Sequence, residues 1–141
     1  ARAIEMSYLS PIQKNKKATD DDYNKAQDFI LENIECFSLV AGTHNEESSM
    51  QLAMQIEKHQ LTKDDPRIFF AQLLGMSDHI SFNLSNEGFN VAKYVPFGPV
   101  KEVMPYLLRR ADENTSVAGQ TGRELGLILT EKTRRKKLKL H

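Results

Sequence analysis

Two adjacent arginines, Arg109 and Arg110, stand in the stretch YVPFGPVKEVMPYLLRRADEN at residues 94–114. A guanidinium group offers paired N–H donors in a planar fork, which matches a carboxylate better than a lysine ammonium does. Glu102, Tyr106, Arg109 and Glu113 follow one another at spacings of four, three and four, with Arg110 beside them. That spacing lines them along one helix face. Two readings follow. Glu113 can pair with either arginine as an ordinary solvated salt bridge, worth at most about 1 kcal/mol. Alternatively, the two guanidinium groups converge on a small anion. Spacing alone leaves both open.

A second candidate group is Thr43-His44-Asn45, which follows an apolar run. Thr43 with Glu46 three residues on also spells a capping box, so helix capping competes with a ligand role for His44. Ser77 and Asp78 read as helix caps and nothing more. Six basic residues crowd positions 132–139; a short basic tail is ordinarily solvated and mobile, with phosphate contact the rival reading. His44, His59, His79, His141 and the single Cys36 show no zinc-type spacing. The sequence has neither a glycine-rich phosphate loop nor a Gly-x-Ser-x-Gly elbow, and neither absence excludes a flavin.

These residues need elements to position them. Thr19 followed by Asp20, Asp21 and Asp22 marks a helix start, since carboxylates favour the positive end of the helix dipole. Tyr23, Ala26, Phe29, Ile30 and Ile34 recur at helical spacing, which predicts a helix over 20–35 after a loop over 10–18. FSLVA (37–41), RIFFAQLL (67–74) and NVAKYV (90–95) read as buried strands. Between them lie a helix from the THNEESS segment to about His59, with Met50, Ala53 and Met54 facing inward, and a helix from GMSDH to Glu87 closed by Gly88. Pro99 suits a first helical position. The helix it opens carries an apolar stripe of Val100, Val103, Met104, Leu107, Leu108 and Ala111. A break over 115–120 separates it from a last helix that runs from about 121 into the basic tail.

The resulting order is α-β-α-β-α-β-α-α, with strands roughly 23–31 residues apart, the signature of parallel strands joined by helical crossovers. In such folds chemistry sits in loops after the strand C-termini: Thr43 to Asn45, Gly75 to Asp78, and Tyr94 to Pro99. Three parallel strands leave edges and a flank uncovered, so the chain is expected to be part of a larger α/β fold. The opening ARAIEM lacks an initiator methionine and reads as the middle of a helix, which points the same way.

Composition narrows the function classes. Forty per cent apolar and 27% charged residues describe a folded globular chain. Nineteen basic and nineteen acidic residues cancel, so no global field favours nucleic acid or an anionic membrane. One cysteine rules out an internal disulfide framework. No apolar run approaches the ~18 residues of a membrane span.

Residues 94–114 closely resemble the last strand and helix of proline dehydrogenases, flavin-dependent barrel enzymes. AGTHNEES resembles that family's flavin-contacting loop, and FFAQLLGMSDHISFNL its penultimate βα unit. Order and intervals match across nearly the whole chain, and Tyr-x-x-Arg-Arg-x-x-Glu with a tyrosine twelve residues earlier is the specific signature. The resemblance implies an α/β fold: the C-terminal part, about half, of a (βα)8 TIM-type barrel over 1–141, ending in an extra helix and a basic tail at 130–141. It implies FAD as cofactor and oxidation of L-proline to Δ1-pyrroline-5-carboxylate.

By the same match, Arg109 and Arg110 bind the substrate carboxylate, and Tyr94, Tyr106 and Leu73 pack around its ring. Thr43, His44 and Asn45 contact FAD, while Glu113, at the cofactor side, holds the arginine side chains. The family's upstream catalytic lysine and aspartate, and a basic residue on an upstream strand, have no counterpart here. This chain alone is therefore expected to need the N-terminal half of the barrel before it turns over substrate. The resemblance also implies a quinone or other electron acceptor, peripheral membrane contact, and a cytoplasmic or mitochondrial matrix location, with no nucleic acid partner. Rival readings are a hydroxyproline dehydrogenase and a non-catalytic interaction module. A bulky Tyr94 over the ring disfavours a 4-hydroxyl group, which favours proline.

Overall fold

The computed structural model describes residues 6, 7, 10, 12–116 and 118–137, with the side chains of 112–116 and 118–124 outside the description. Its elements are α1 (Lys16–Glu32), β1 (Leu39–Gly42), α2 (Glu46–Lys58), β2 (Ile68–Leu73), α3 (Asp78–Asn86), β3 (Val91–Tyr94), α4 (Val100–Ser116) and α5 (Ala118–Lys137). The expected alternation is present in full. Two compact units divide the chain, residues 1–93 and 94–141.

The strands form one sheet in the order β1-β2-β3. β1 and β2 run parallel, with Leu39 opposite Ile68 and Gly42 opposite Ala71. On one sheet face Leu39, Ala41, Ile68 and Phe70 are buried with Leu31, Ile34, Leu52, Ile56 and Phe89. The Phe70 and Phe89 rings meet edge to face with centroids 5.4 Å apart. Strand side chains alternate between faces, so Val40, Phe69, Ala71 and Leu73 share the opposite face. Val40 is 65% exposed there. Parallel sheets ordinarily have both faces covered; this one has an apolar face open to cover.

Helix starts differ from expectation. α1 begins at Lys16 because Asn15 caps it, its side-chain oxygen accepting the Ala18 N–H at 2.9 Å. Asp20 and Asp21 therefore lie inside the helix, where Lys16 and Lys17 pair with them one turn away. The inward face of α2 is also rotated from the expected one. Met50 and Met54 are 67% and 65% exposed, whereas Ser48, Ser49, Leu52 and Ile56 are buried. The Ser49 hydroxyl donates to the Asn45 carbonyl at 3.0 Å, which lets a polar residue occupy an inner position. Ala26 and Phe29 of α1 are likewise exposed, and Gln27 and Leu31 are buried in their place.

Helix ends follow backbone hydrogen-bond rules closely. α3 closes on Gly88 (φ +91), with the Gly88 N–H donating to Ser85 O and the Phe89 N–H to Leu84 O. α2 closes in the same pattern, with Gln60 (φ +58) in the left-handed position. At the entry to α4, Gly98 has φ +154, and a Cβ there would lie 3.1 Å from the Val103 side chain. Pro99 precedes α4 instead of opening it: its carbonyl accepts the Glu102 and Val103 N–H groups. Pro105 lies inside α4 and withholds the N–H that Lys101 O would accept. The expected break over 115–120 is narrower than predicted, since α4 runs to Ser116 and α5 begins at Ala118. The basic run is helical to Lys137 rather than a loose tail.

Candidate functional site

The loops after β1 and β2 carry one group of candidates. Thr43 and Glu46 do not form the expected capping box. Asn45 caps α2 instead, its side-chain oxygen accepting the Glu47 N–H at 3.0 Å, while Thr43 Oγ1 accepts the Asn45 N–H at 3.0 Å. The Glu46 carboxylate turns away to His79, 2.6 Å from Nε2. Thr43 and His44 therefore lie outside the helix, on the loop at the strand's C-terminal end. Asn45 Nδ2 is buried and has no hydrogen-bond partner among the described residues. A buried donor left unmatched costs about 1–3 kcal/mol, so it is a group that an added acceptor would stabilise.

Hydrogen bonds tie the two loops together. His44 Nδ1 and Ser77 Oγ are 2.9 Å apart. Ser77 occupies the N-cap position of α3 yet makes no side-chain cap bond, which corrects the capping role expected of it. Asp78, the first residue of α3, binds Lys93 rather than a backbone N–H. The Lys93 ammonium donates to Asp78 Oδ1 and to Met76 O, both at 2.8 Å. Beneath the loops, buried Gln72 donates to Thr43 O at 3.3 Å and accepts from Ser81 Oγ at 2.8 Å. Sequence reasoning missed Gln72, His79 and Lys93. Only Gln72 carried a signal, as the one polar residue inside the apolar run IFFAQLL (68–74). Leu73 is half-buried on the open sheet face.

The second group lies in the other compact unit. Tyr94 ends β3 and Tyr106 lies on α4, their ring centroids 6.0 Å apart at 71° between planes. The Arg110 guanidinium lies 5.5 Å from the Tyr106 ring centre, within range of a cation–π contact. Arg109 and Arg110 are both exposed on α4, with Tyr106 half-buried. The Glu113 side chain lies outside the described residues. The apolar stripe of α4 stays largely open: Val100, Met104, Leu107 and Leu108 are all exposed.

On α5 the Glu131 carboxylate accepts from Arg134 and Arg135, which pull its pKa down to about 2. Part of the basic run thus has partners within its own helix. Among the described residues no group of His, Cys, Asp or Glu could hold a metal ion, and no helix is long and apolar enough to cross a membrane.

Comparison with known proteins identifies the family. A family profile described as "Proline dehydrogenase" matches residues 1–123. The chain is 42% identical over 138 residues to human mitochondrial proline dehydrogenase 1, covering 96% of this chain and 23% of that protein. It is 37% identical over 132 residues to a Xenopus laevis hydroxyproline dehydrogenase, covering 91% of this chain and 28% of that protein. The crystal structure of proline utilization A from Bdellovibrio bacteriovorus, inactivated by N-propargylglycine, superposes with a TM-score of 0.71 at 28% identity. That match covers 84% of this chain and 12% of the larger one. The chain spans about a quarter of the length of the curated relatives it matches. It belongs to the proline dehydrogenase family.

Proposed function

From membership of this family we propose that the protein takes part in flavin-dependent oxidation of L-proline to Δ1-pyrroline-5-carboxylate, with residues 1–141 supplying the C-terminal part of a (βα)8 barrel. The single observation that carries the reading is the cluster of Tyr94, Tyr106 and the Arg110 guanidinium. It puts apolar ring surface beside a cation, the counterparts of the apolar ring and the carboxylate that proline presents to a binding site. The open apolar sheet face around Val40, Phe69 and Leu73 supports the barrel reading, because closure with further strands would cover it.

In this reading Arg109 and Arg110 grip the substrate carboxylate, each charge-assisted bond contributing about 1.5–3 kcal/mol. Glu113 fixes the arginine side chains from the next turn of α4. Tyr94, Tyr106 and Leu73 enclose the pyrrolidine ring and exclude water from it. Thr43, His44 and Asn45 hold FAD, and the unmatched Asn45 Nδ2 supports that assignment as a donor awaiting an acceptor. Bound FAD supplies the acceptor for the hydride leaving the ring carbon. The substrate nitrogen releases a proton as the C=N bond forms, so a hydride and a proton, together two electrons and two protons, leave as the ring is oxidised. Holding the substrate in one orientation by its carboxylate is the chain's main contribution.

The mitochondrial relatives support a mitochondrial location for the eukaryotic case, with the matrix side part of the proposal. A membrane quinone as acceptor, and with it peripheral membrane contact, is part of the same proposal. The hydroxyproline dehydrogenase relative favours a second reading with 4-hydroxyproline as substrate; Tyr94 weighs against it through its bulk over the ring. Anaerobic addition of L-proline to the full-length protein tests the proposal. The oxidised flavin band should bleach, and a protein whose band is indifferent to proline would overturn it.

A further inference from the structure

We infer that Ser77 and Lys93 are positioning residues that set the imidazole of His44 for its contact with the flavin. The inference rests on the flavin reading above and adds two residues to which that reading gives no role.

Ser77 bears two costs at one position. Its backbone is left-handed (φ 51, ψ 42), a conformation that penalises a residue with a Cβ by roughly 1–2 kcal/mol. It also forgoes the side-chain cap that a serine at this position ordinarily makes. Its side chain is only 4% exposed, so the hydroxyl needs a partner inside the protein. His44 Nδ1 is one, at 2.9 Å. Local propensity would place this hydroxyl on the α3 backbone, and the fold places it on a histidine from another loop. Local rules broken beside strand C-termini are the mark of a functional constraint.

Lys93 keeps the strained turn in place. Its ammonium donates to Met76 O and Asp78 Oδ1, the residues on either side of Ser77, both at 2.8 Å. It reaches them from β3, one residue before Tyr94. The chain of contacts therefore runs from Lys93, through the Ser77 turn, to His44. With Nδ1 engaged by Ser77, a flavin contact from His44 is made through Nε2. Whether Nε2 donates or accepts there depends on the direction of the Ser77 hydroxyl.

Glycine separates the positioning role from a structural one, because it adopts φ +51 without penalty while removing the hydroxyl and the Cβ that carries it. In the full-length flavin-loaded protein, Ser77→Gly should melt no lower than wild type. Its flavin absorption band should nevertheless shift, and the flavin should dissociate roughly 3- to 10-fold more readily, the worth of one hydrogen bond. His44→Ala should move both readouts the same way, and combining it with Ser77→Gly should add nothing further. Lys93→Met should reproduce the Ser77→Gly flavin signature. If the glycine variant is not recovered, Ser77→Ala gives the same readouts. A Ser77→Gly protein with wild-type spectrum and flavin affinity, or effects that simply add to those of His44→Ala, would overturn this inference alone. A wild-type protein that retains no flavin would overturn the flavin reading and this inference with it.

Discussion

The rings of Tyr94 and Tyr106 meet edge to face, their centroids 6.0 Å apart, one at the end of β3 and the other on the second turn of α4. Such a pair is worth about 0.5–1.5 kcal/mol beyond its buried area, and it joins a strand end to the helix that carries both arginines. Tyr106→Ala should therefore loosen the wall and the Arg110 contact together. Steady-state kinetics on the full-length protein should show KM for proline rising roughly 10-fold or more, while flavin content stays at the wild-type level. Tyr106→Phe, which keeps the ring, should retain most of the affinity.

Tyr94 sets substrate size in this account. Tyr94→Ala opens space beside the ring and should raise kcat/KM for 4-hydroxyproline relative to proline, while lowering kcat/KM for proline itself. Competition between the two substrates measures the ratio directly. An unchanged ratio would remove Tyr94 from the substrate wall.

Gln60 closes α2 in a conformation that suits glycine. Its N–H donates to Glu57 O at 3.0 Å, and the next N–H, from Leu61, donates to Ile56 O at 3.1 Å, so the backbone is fixed at φ +58. Relief of that strain in Gln60→Gly outweighs the added flexibility of the unfolded chain, and the variant should gain roughly 0.5–1 kcal/mol. Chemical denaturation of the full-length protein checks it, with activity unaffected because Gln60 is exposed and lies at the end of α2 opposite the Thr43–Asn45 loop.

Asp65 is buried just before β2 and accepts three bonds from Arg67: the backbone N–H at 2.9 Å, Nε at 3.0 Å and a terminal guanidinium nitrogen at 2.8 Å. These bonds, led by the side-chain pair, hold its pKa below the usual carboxylate value. A folded-state pKa below the unfolded one contributes stability that is complete above the unfolded value and lost as pH falls through the folded one. Acid titration of stability should thus show loss attributable to Asp65 only below about pH 4. Asp65→Asn should abolish that component and cost about 1–3 kcal/mol at neutral pH, since its amide turns donors toward the guanidinium.

Much of this architecture was legible in the residues. The alternation of elements follows from FSLVA, RIFFAQLL and NVAKYV, whose apolar runs leave strands as the natural outcome. Gly88 closed α3 as expected because a left-handed backbone needs a residue without Cβ. Capping was harder to read, because several good caps stood close together and tertiary bonds chose among them. Asn15 outcompeted Thr19, and Asn45 took the role expected of Thr43 once Glu46 turned to His79. Amphipathic faces misled where small polar residues were buried: Ser48 and Ser49 lie inside while Met50 and Met54 do not. The bond from Ser77 to His44 joins residues 33 apart in sequence, a pairing that no local pattern encodes. The arginine pair was visible at once, but the clamp role proposed for it rests on resemblance, since a solvated face and a clamp share the same spacing.

The paired guanidinium groups are tested most directly by removing the substrate's negative charge. In the full-length protein, kcat/KM for L-proline should exceed that for L-prolinamide by a factor of 100 or more, taking each charge-assisted bond as roughly 10- to 150-fold. Arg109→Met and Arg110→Met should each shrink that ratio at least roughly tenfold, through loss of activity toward proline alone. A ratio that both variants leave as it was would contradict the clamp.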